Sequence, residues 1–207
     1  MYRILYWIVR IITFIPLLIL YPFIIKNKKN FKKGKAVVVC NHQSNIDAPL
    51  LLSRLPHMYV LSKKELMKSF FTRFLLNIVK AIPVDRKNPE ISVIKKCLTV
   101  LKENKKLCIF PEGTRKKISL SENDAIKNGA SMFAIKEKAP IIPMIFVNKT
   151  RIFRFNKLII GEPIDTTIYE GKASKENIEI LSKIMHNKMT ELIENNKKKP
   201  KVVTPDI

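Results

Sequence analysis

This chain of 207 residues has few cysteines and few acidic residues, and it lacks the Gly-x-Ser-x-Gly motif of a serine nucleophile. Its three cysteines are scattered, odd in number and without the spacing of a metal site, so they argue against a disulfide framework and indicate a reducing compartment. No Gly-x-Ser-x-Gly sequence occurs, which argues against a serine hydrolase built on that turn. The chain also has no internal repeat and no linker, and its length fits one domain.

The shortage of acid gives the chain a strong positive charge. Only 17 Asp and Glu residues stand against 39 Lys and Arg residues, for a formal net charge of +22. Nucleic acid and anionic membrane are the two partners that such a charge favours. The basic residues are dispersed and no nucleic-acid-binding module is recognisable. We therefore predict an anionic membrane surface as partner and no nucleic acid.

The amino-terminal segment supports a membrane partner. Residues 1–25 are nearly all apolar or aromatic, and a Lys-rich flank follows in place of a small-residue cleavage site. The uncharged part, residues 11–25, would make about 22 Å of helix against roughly 30 Å of bilayer core, and Pro16 and Pro22 would bend it. This favours a membrane-associating segment at 1–35 that lies in one leaflet over one that spans the bilayer. The lysines predict the cytoplasmic face of the cell membrane.

Strand-like and helix-like patterns alternate through the rest of the chain. This order predicts an α/β fold in which a mixed sheet is flanked by helices. The fold also includes the amino-terminal apolar helical segment, which we expect to be embedded in the membrane. The same patterns predict one domain at 36–194 and a flexible tail at 195–207. The expected strands are 36–40, 58–61, 107–110, 141–147 and 157–160; the expected helices are 69–80, one that starts at Asn88, 124–137 and 174–194.

A histidine and a carboxylate follow the first buried strand. His42 and Asp47 belong to the stretch Asn-His-Gln-Ser-Asn-Ile-Asp, directly after the apolar run 36–40. Five residues on one helix lie roughly 140° apart, so the two side chains meet only if His42 is in the turn and Asp47 begins the next helix. Pro49 is compatible with a first helical turn. Such a pair has the chemistry of a general base and the carboxylate that orients it.

Three further blocks follow in order along the chain. They are Ala-Ile-Pro-Val-Asp-Arg at 81–86, Phe-Pro-Glu-Gly-Thr-Arg at 110–115 and Ala-Pro-Ile-Ile-Pro-Met at 139–144. Together with the histidine motif they resemble the four blocks of the glycerolipid acyltransferases, in particular the bacterial 1-acylglycerol-3-phosphate acyltransferases. Ala81 stands where that family usually has Gly, and Lys116 where Ser often follows.

The resemblance implies an activity and a set of substrates. It implies transfer of a fatty acyl group to the free hydroxyl of 1-acylglycerol 3-phosphate, giving phosphatidic acid, with His42 as base and Asp47 as its orienter. Acyl-CoA or acyl-acyl carrier protein would be the co-substrate, and no cofactor or metal is expected. An acidic acyl carrier protein would also be attracted by the positive charge.

The other blocks supply the acceptor-binding residues that the resemblance implies. Arg86 and Arg115 each offer a planar fork suited to a phosphate. Gly113 and Thr114 allow close approach of backbone N–H groups to the phosphate or the oxyanion. The resemblance also implies a role for Glu112 in acceptor binding.

Several alternatives stay open at this point. The same catalyst could act on another lysophospholipid or alcohol, or the pair could activate water in a hydrolase. The chain could also be a basic module without catalysis. Cys40 lies two residues from His42 and could form a nucleophile pair with it, although free cysteines are most often buried packing residues.

Overall fold

The computed structural model describes residues 7–8, 11–12, 15–17, 19–85, 90–111 and 125–196. These residues form one sheet with helices on both faces. The strands are β1 (Phe23–Lys26), β2 (Ala36–Cys40), β3 (Tyr59–Lys63), β4 (Ile82–Val84), β5 (Lys106–Ile109), β6 (Ile141–Phe146) and β7 (Asn156–Ile160). The helices are α1 (Asp47–Arg54), α2 (Phe70–Ile78), α3 (Ile91–Lys102), α4 (Ala125–Lys136) and α5 (Lys175–Glu194), with short 3₁₀ turns between some elements.

The sheet has the strand order β1-β7-β6-β2-β5-β3-β4. Neighbouring strands are parallel except for β6 and β7, which run antiparallel. The sheet is therefore mixed, as predicted. Its central strands β6, β2 and β5 all point in the same direction, so the residues that follow them meet at one edge.

Strand β2 shows how the two faces of the sheet are filled. All five of its residues are buried, and they alternate between the two hydrophobic cores. Val37 and Val39 face the core that contains α3, α4 and α5. Val38 and Cys40 face the second core, which is covered by α1 and by Leu17 of the amino-terminal segment. A continuous β-branched run is what a strand covered on both faces requires.

The structure adds two strands to those predicted. Strand β1 lies within the segment 1–35 that the sequence assigned to the membrane, yet it forms the parallel edge pair with β7. An apolar Phe-Ile-Ile sequence suits a sheet edge as well as lipid, which is why the pattern did not distinguish them. Strand β4 has only three residues, including Pro83. Helix α3 begins at Ile91 with Glu90 at its N-cap, later than the expected start.

The amino-terminal residues that the structure describes between 7 and 20 are helical. Within the described ranges, no helix is both long and apolar enough to cross a membrane. Of the expected tail at 195–207, residues 197–207 fall outside those ranges.

Candidate active site

The site lies at the carboxyl edge of the central strands. His42 follows β2, Phe110 follows β5, and Thr150 lies in the connection after β6. Because β2 is paired with β5 on one side and β6 on the other, the three segments converge. Crevices at the carboxyl ends of strands are where α/β sheets commonly bind ligands.

His42 and Asp47 are in contact, as the sequence predicted. Nδ1 of His42 lies 3.2 Å from Oδ2 of Asp47. His42 is in the turn after β2, and Asp47 is the first residue of α1. With Nδ1–H donating a hydrogen bond to the carboxylate, Nε2 of the neutral imidazole is the nitrogen that can accept a proton.

Asp47 is fully buried, and hydrogen bonds from the surrounding chain stabilise its carboxylate. Oδ2 also accepts hydrogen bonds from the backbone N–H groups of Gln43 and Ser44, each at 2.7 Å. Oδ1 accepts from the hydroxyl of Thr150 at 2.8 Å. A buried carboxylate is tolerated when it is compensated in this way. The turn between β2 and α1 therefore wraps around the carboxylate and fixes its direction.

Asn41 fastens this turn to the neighbouring strand. Its side chain donates to the carbonyl of Phe146 at 2.9 Å and accepts from the N–H of Phe146 at 2.7 Å. Gln43 also donates to the Phe146 carbonyl at 3.0 Å. The end of β6 thus holds the segment on both sides of His42. The sequence motif contained Asn41 and Gln43, but nothing local indicated their partner.

The imidazole of His42 lies against an aromatic ring. The centroids of His42 and Phe110 are 4.6 Å apart, with the rings tilted by 40°. The histidine side chain is 18% exposed, so one part of the ring is reached from outside. Phe110 and Pro111 are buried and begin the Phe-Pro-Glu-Gly-Thr-Arg block beside the histidine. Of the predicted acceptor-binding residues, Arg86, Glu112, Gly113, Thr114 and Arg115 lie outside the described residues.

Cys40 lies in the hydrophobic core and not in the site with His42. It is completely buried, its side chain is part of the core beneath α1, and its Sγ lies 3.8 Å from Oδ1 of Asn41. The thiol is therefore a packing group in this fold. Burial also raises the pKa of Cys108 on the adjacent strand to about 12, which keeps that sulfur protonated at neutral pH.

The fold and this edge of the sheet correspond to a known class of enzyme. The model of the Acyltransferase family matches residues 22–147, which is more than half of the chain. The chain belongs to this acyltransferase family, and it is an acyl-group-transferring enzyme.

Individual relatives agree with this assignment. The 1-acyl-sn-glycerol-3-phosphate acyltransferase of Bacillus subtilis is 33% identical over 174 residues, covering 80% of this chain and 85% of that protein. The enzyme of the same name from Helicobacter pylori is 34% identical over 132 residues, covering 62% and 55%. The crystal structure of the 1-acyl-sn-glycerophosphate acyltransferase PlsC from Thermotoga maritima has the same fold. Its TM-score is 0.64 at 24% identity, and the match covers 86% of this chain and 73% of that one.

Proposed function

We propose that this enzyme moves a fatty acyl group from acyl-CoA or acyl-acyl carrier protein to the free hydroxyl of 1-acylglycerol 3-phosphate. The product is phosphatidic acid. The observation that carries the proposal is the contact between His42 and Asp47 at the carboxyl edge of the sheet. The names of the bacterial relatives support the choice of acceptor.

The proposed reaction needs one base and no covalent enzyme intermediate. Nε2 of His42 takes the proton of the acceptor hydroxyl as its oxygen attacks the thioester carbonyl carbon. Asp47 holds the ring in the required tautomer and stabilises the imidazolium that forms. The tetrahedral intermediate then collapses, the carbon–sulfur bond breaks, and the departing thiolate takes the proton from the imidazolium. The ester and the free thiol are the products.

The acceptor phosphate would be bound by the two predicted arginines. Arg115 belongs to the block that begins at Phe110, whose ring contacts His42. Arg86 follows β4, which is parallel to β3 and therefore ends at the same edge. Glu112, Gly113 and Thr114 complete the proposed acceptor site, with backbone N–H groups for the phosphate or the oxyanion.

The same proposal includes an anionic membrane surface at the cytoplasmic face. Apolar side chains of the amino-terminal segment point outward, with Ile12 65% and Ile19 64% exposed. On α2, Phe70 and Phe71 are also mainly exposed. A surface of this kind beside a strongly basic domain fits a protein that lies on anionic lipid. It would also bring the enzyme to an acceptor that resides in the bilayer.

A lipid assay tests the proposal. Purified protein receives labelled acyl-CoA or acyl-acyl carrier protein with a panel of lysolipids and alcohols. We expect product with 1-acylglycerol 3-phosphate, and none from the His42→Ala variant. The His186→Ala variant on α5 is the matched control and should retain activity. Normal turnover by His42→Ala would overturn the assignment of the base, and free fatty acid alone would indicate a hydrolase.

A second comparison tests the acceptor. The planar fork of Arg115 is lost in Arg115→Lys, so the KM for the phosphate-bearing acceptor should rise before use of the acyl donor changes. An unchanged KM would remove Arg115 from the phosphate site. Preference for an acceptor without phosphate would favour the alternative activity.

A further inference from the structure

The connection between β6 and β7, residues 147–155, exposes an apolar tip. Ile152 is 50% exposed, Phe153 74% and Phe155 82%. Two phenyl rings that lie this far out of a fold bring no stability to it, since they remain in water. A partner that removes them from water would account for their position.

The tip is held in a defined shape. Asn156 is buried, and its side chain accepts from the N–H of Arg151 and donates to the carbonyls of Arg151 and Arg154 at 3.1, 3.2 and 2.8 Å. Phe153 has a φ of 53°, a left-handed conformation that costs a phenylalanine energy. Its N–H nevertheless donates to the carbonyl of Leu20 at 2.7 Å. The surrounding hydrogen bonds therefore maintain a strained backbone that presents the rings outward.

Basic side chains surround this apolar tip. Lys149, Arg151 and Arg154 are all exposed, and the connection contains no acidic residue. Apolar rings flanked by cations match the boundary of an anionic bilayer, where the rings reach the acyl chains and the cations remain among the headgroups. An acidic protein surface would satisfy the cations but would leave the rings without an apolar partner.

The tip is also continuous with both the amino-terminal segment and the active site. Leu20, whose carbonyl accepts the hydrogen bond from Phe153, belongs to that segment and directly follows the exposed Ile19. Thr150, three residues before Phe153, is buried and donates to Asp47. The same short connection thus joins the candidate membrane surface to the carboxylate of the site.

We propose that the connection at 147–155 inserts Phe153 and Phe155 into the headgroup boundary of an anionic lipid bilayer, beside the edge of the sheet that carries His42 and Asp47. This inference rests on the proposed function, because it assumes an acceptor that resides in lipid. It adds a second membrane contact, which lies outside the amino-terminal segment at the catalytic edge of the sheet.

Tryptophan fluorescence tests this contact at a single position. Trp7 is the only tryptophan of the chain, so Trp7→Phe with Phe155→Trp places one reporter at the tip. Vesicles of phosphatidylcholine with phosphatidylglycerol should shift its emission to shorter wavelength, and brominated lipid should quench it. Vesicles without phosphatidylglycerol should produce a smaller effect.

The matched control carries its reporter at the other end of the sheet. Ile168 is 72% exposed, and it follows by four residues Ile164, which forms a β-bridge with Ile141, the first residue of β6. The variant Trp7→Phe with Ile168→Trp should show neither the shift nor the quenching. If the tip reporter behaves like this control while the protein sediments with vesicles, the inference is wrong and membrane association by the amino-terminal segment stands. If the protein does not sediment with vesicles at all, both the inference about the tip and the proposed membrane association are wrong.

Two other partners of the tip would give different fluorescence results. A shift that appears without vesicles as the protein concentration rises would identify a second copy as the partner. A shift with acyl carrier protein but not with vesicles would identify a protein contact. Either result would overturn the assignment to lipid.

A kinetic measurement completes the test. The double variant Phe153→Ser with Phe155→Ser should raise the KM for acceptor presented in vesicles about 10-fold, because the contact of two phenyl rings with the lipid is lost. Its kcat should stay within about twofold of the parent value, since the rings do not touch the reacting atoms. The Ile168→Ser variant should leave both parameters unchanged. An unchanged KM in the double variant would contradict the inference.

Discussion

The hydroxyl of Thr150 donates to Oδ1 of Asp47 at 2.8 Å, across 103 residues of sequence. Both residues are buried, and this hydrogen bond holds one oxygen of the carboxylate while the other oxygen contacts His42. It connects the turn after β2 to the connection after β6. The direction of the carboxylate is therefore set by two separate parts of the chain.

Replacing Thr150 with Val should lower both stability and turnover. Val keeps the shape but removes the donor to Asp47, which costs about 1–3 kcal/mol and shifts the melting temperature by several degrees. The kcat should fall about 10-fold, because a small displacement of the orienting group moves the base. Thermal unfolding and steady-state kinetics measure the two effects. The Thr150→Ser variant keeps the hydroxyl and should restore both, and a Val variant with normal kcat would exclude this positioning role.

Replacing Asp47 with Asn tests the charge at constant shape. The amide keeps the volume of the carboxylate but does not stabilise an imidazolium, so kcat should fall by on the order of 10³-fold or more. The backbone N–H groups of Gln43 and Ser44 still find an oxygen acceptor, and the protein should remain folded by circular dichroism. Turnover within a few-fold of the parent enzyme would remove Asp47 from the proposed mechanism.

The elements that could be predicted from the sequence are those that neighbouring residues in the sequence determine. The strand 36–40 has a β-branched run, and the meeting of His42 with Asp47 follows from a turn and a helix start only five residues apart. Thr150 could not be predicted, because its partner is remote in sequence and no local pattern indicates it. Strand β1 was missed since an apolar run near a terminus has the same composition at a sheet edge as in lipid. Strand β4, with three residues, is too short to show a period.

Gly161 provides a test of how tightly α5 lies on the sheet. A Cβ at this position would lie 2.6 Å from Cδ1 of Leu192 and 2.9 Å from Cγ of Pro143. The leucine can turn aside, but the proline ring in β6 cannot. The Gly161→Ala variant should therefore lose about 1–3 kcal/mol of unfolding free energy.

The matched control for that variant is a glycine with space around it. Gly129 lies within α4, and a Cβ there would come no closer than 3.9 Å to Phe133. Gly129→Ala should raise the unfolding free energy by about 0.5–1 kcal/mol, because alanine is the better helix former. Chemical denaturation measures both variants. A Gly161→Ala protein as stable as the parent would show that β6 shifts at Pro143 without cost.

The cysteines should be unreactive until the protein unfolds. All three are buried, and burial raises the pKa values of Cys97 and Cys108 to about 12. At pH 8 the thiolate fraction of such a group is on the order of 10⁻⁴. A thiol reagent should modify none of them quickly in the native protein and all three in guanidinium chloride. Rapid modification of Cys40 in the native protein would reopen the nucleophile interpretation for the residue beside the motif.

The pairing of β1 with β7 has a consequence for biosynthesis. The carbonyl of Pro22, directly before β1, accepts hydrogen bonds from the backbone and the side chain of Asn156, a residue 134 positions further along. At translation rates of roughly 5–20 residues per second, the edge strand leaves the ribosome many seconds before its neighbour exists. During that interval the backbone groups of β1 that pair with β7 lack this partner. The parallel pair of β1 and β7 can therefore form only after residue 160 has been synthesised.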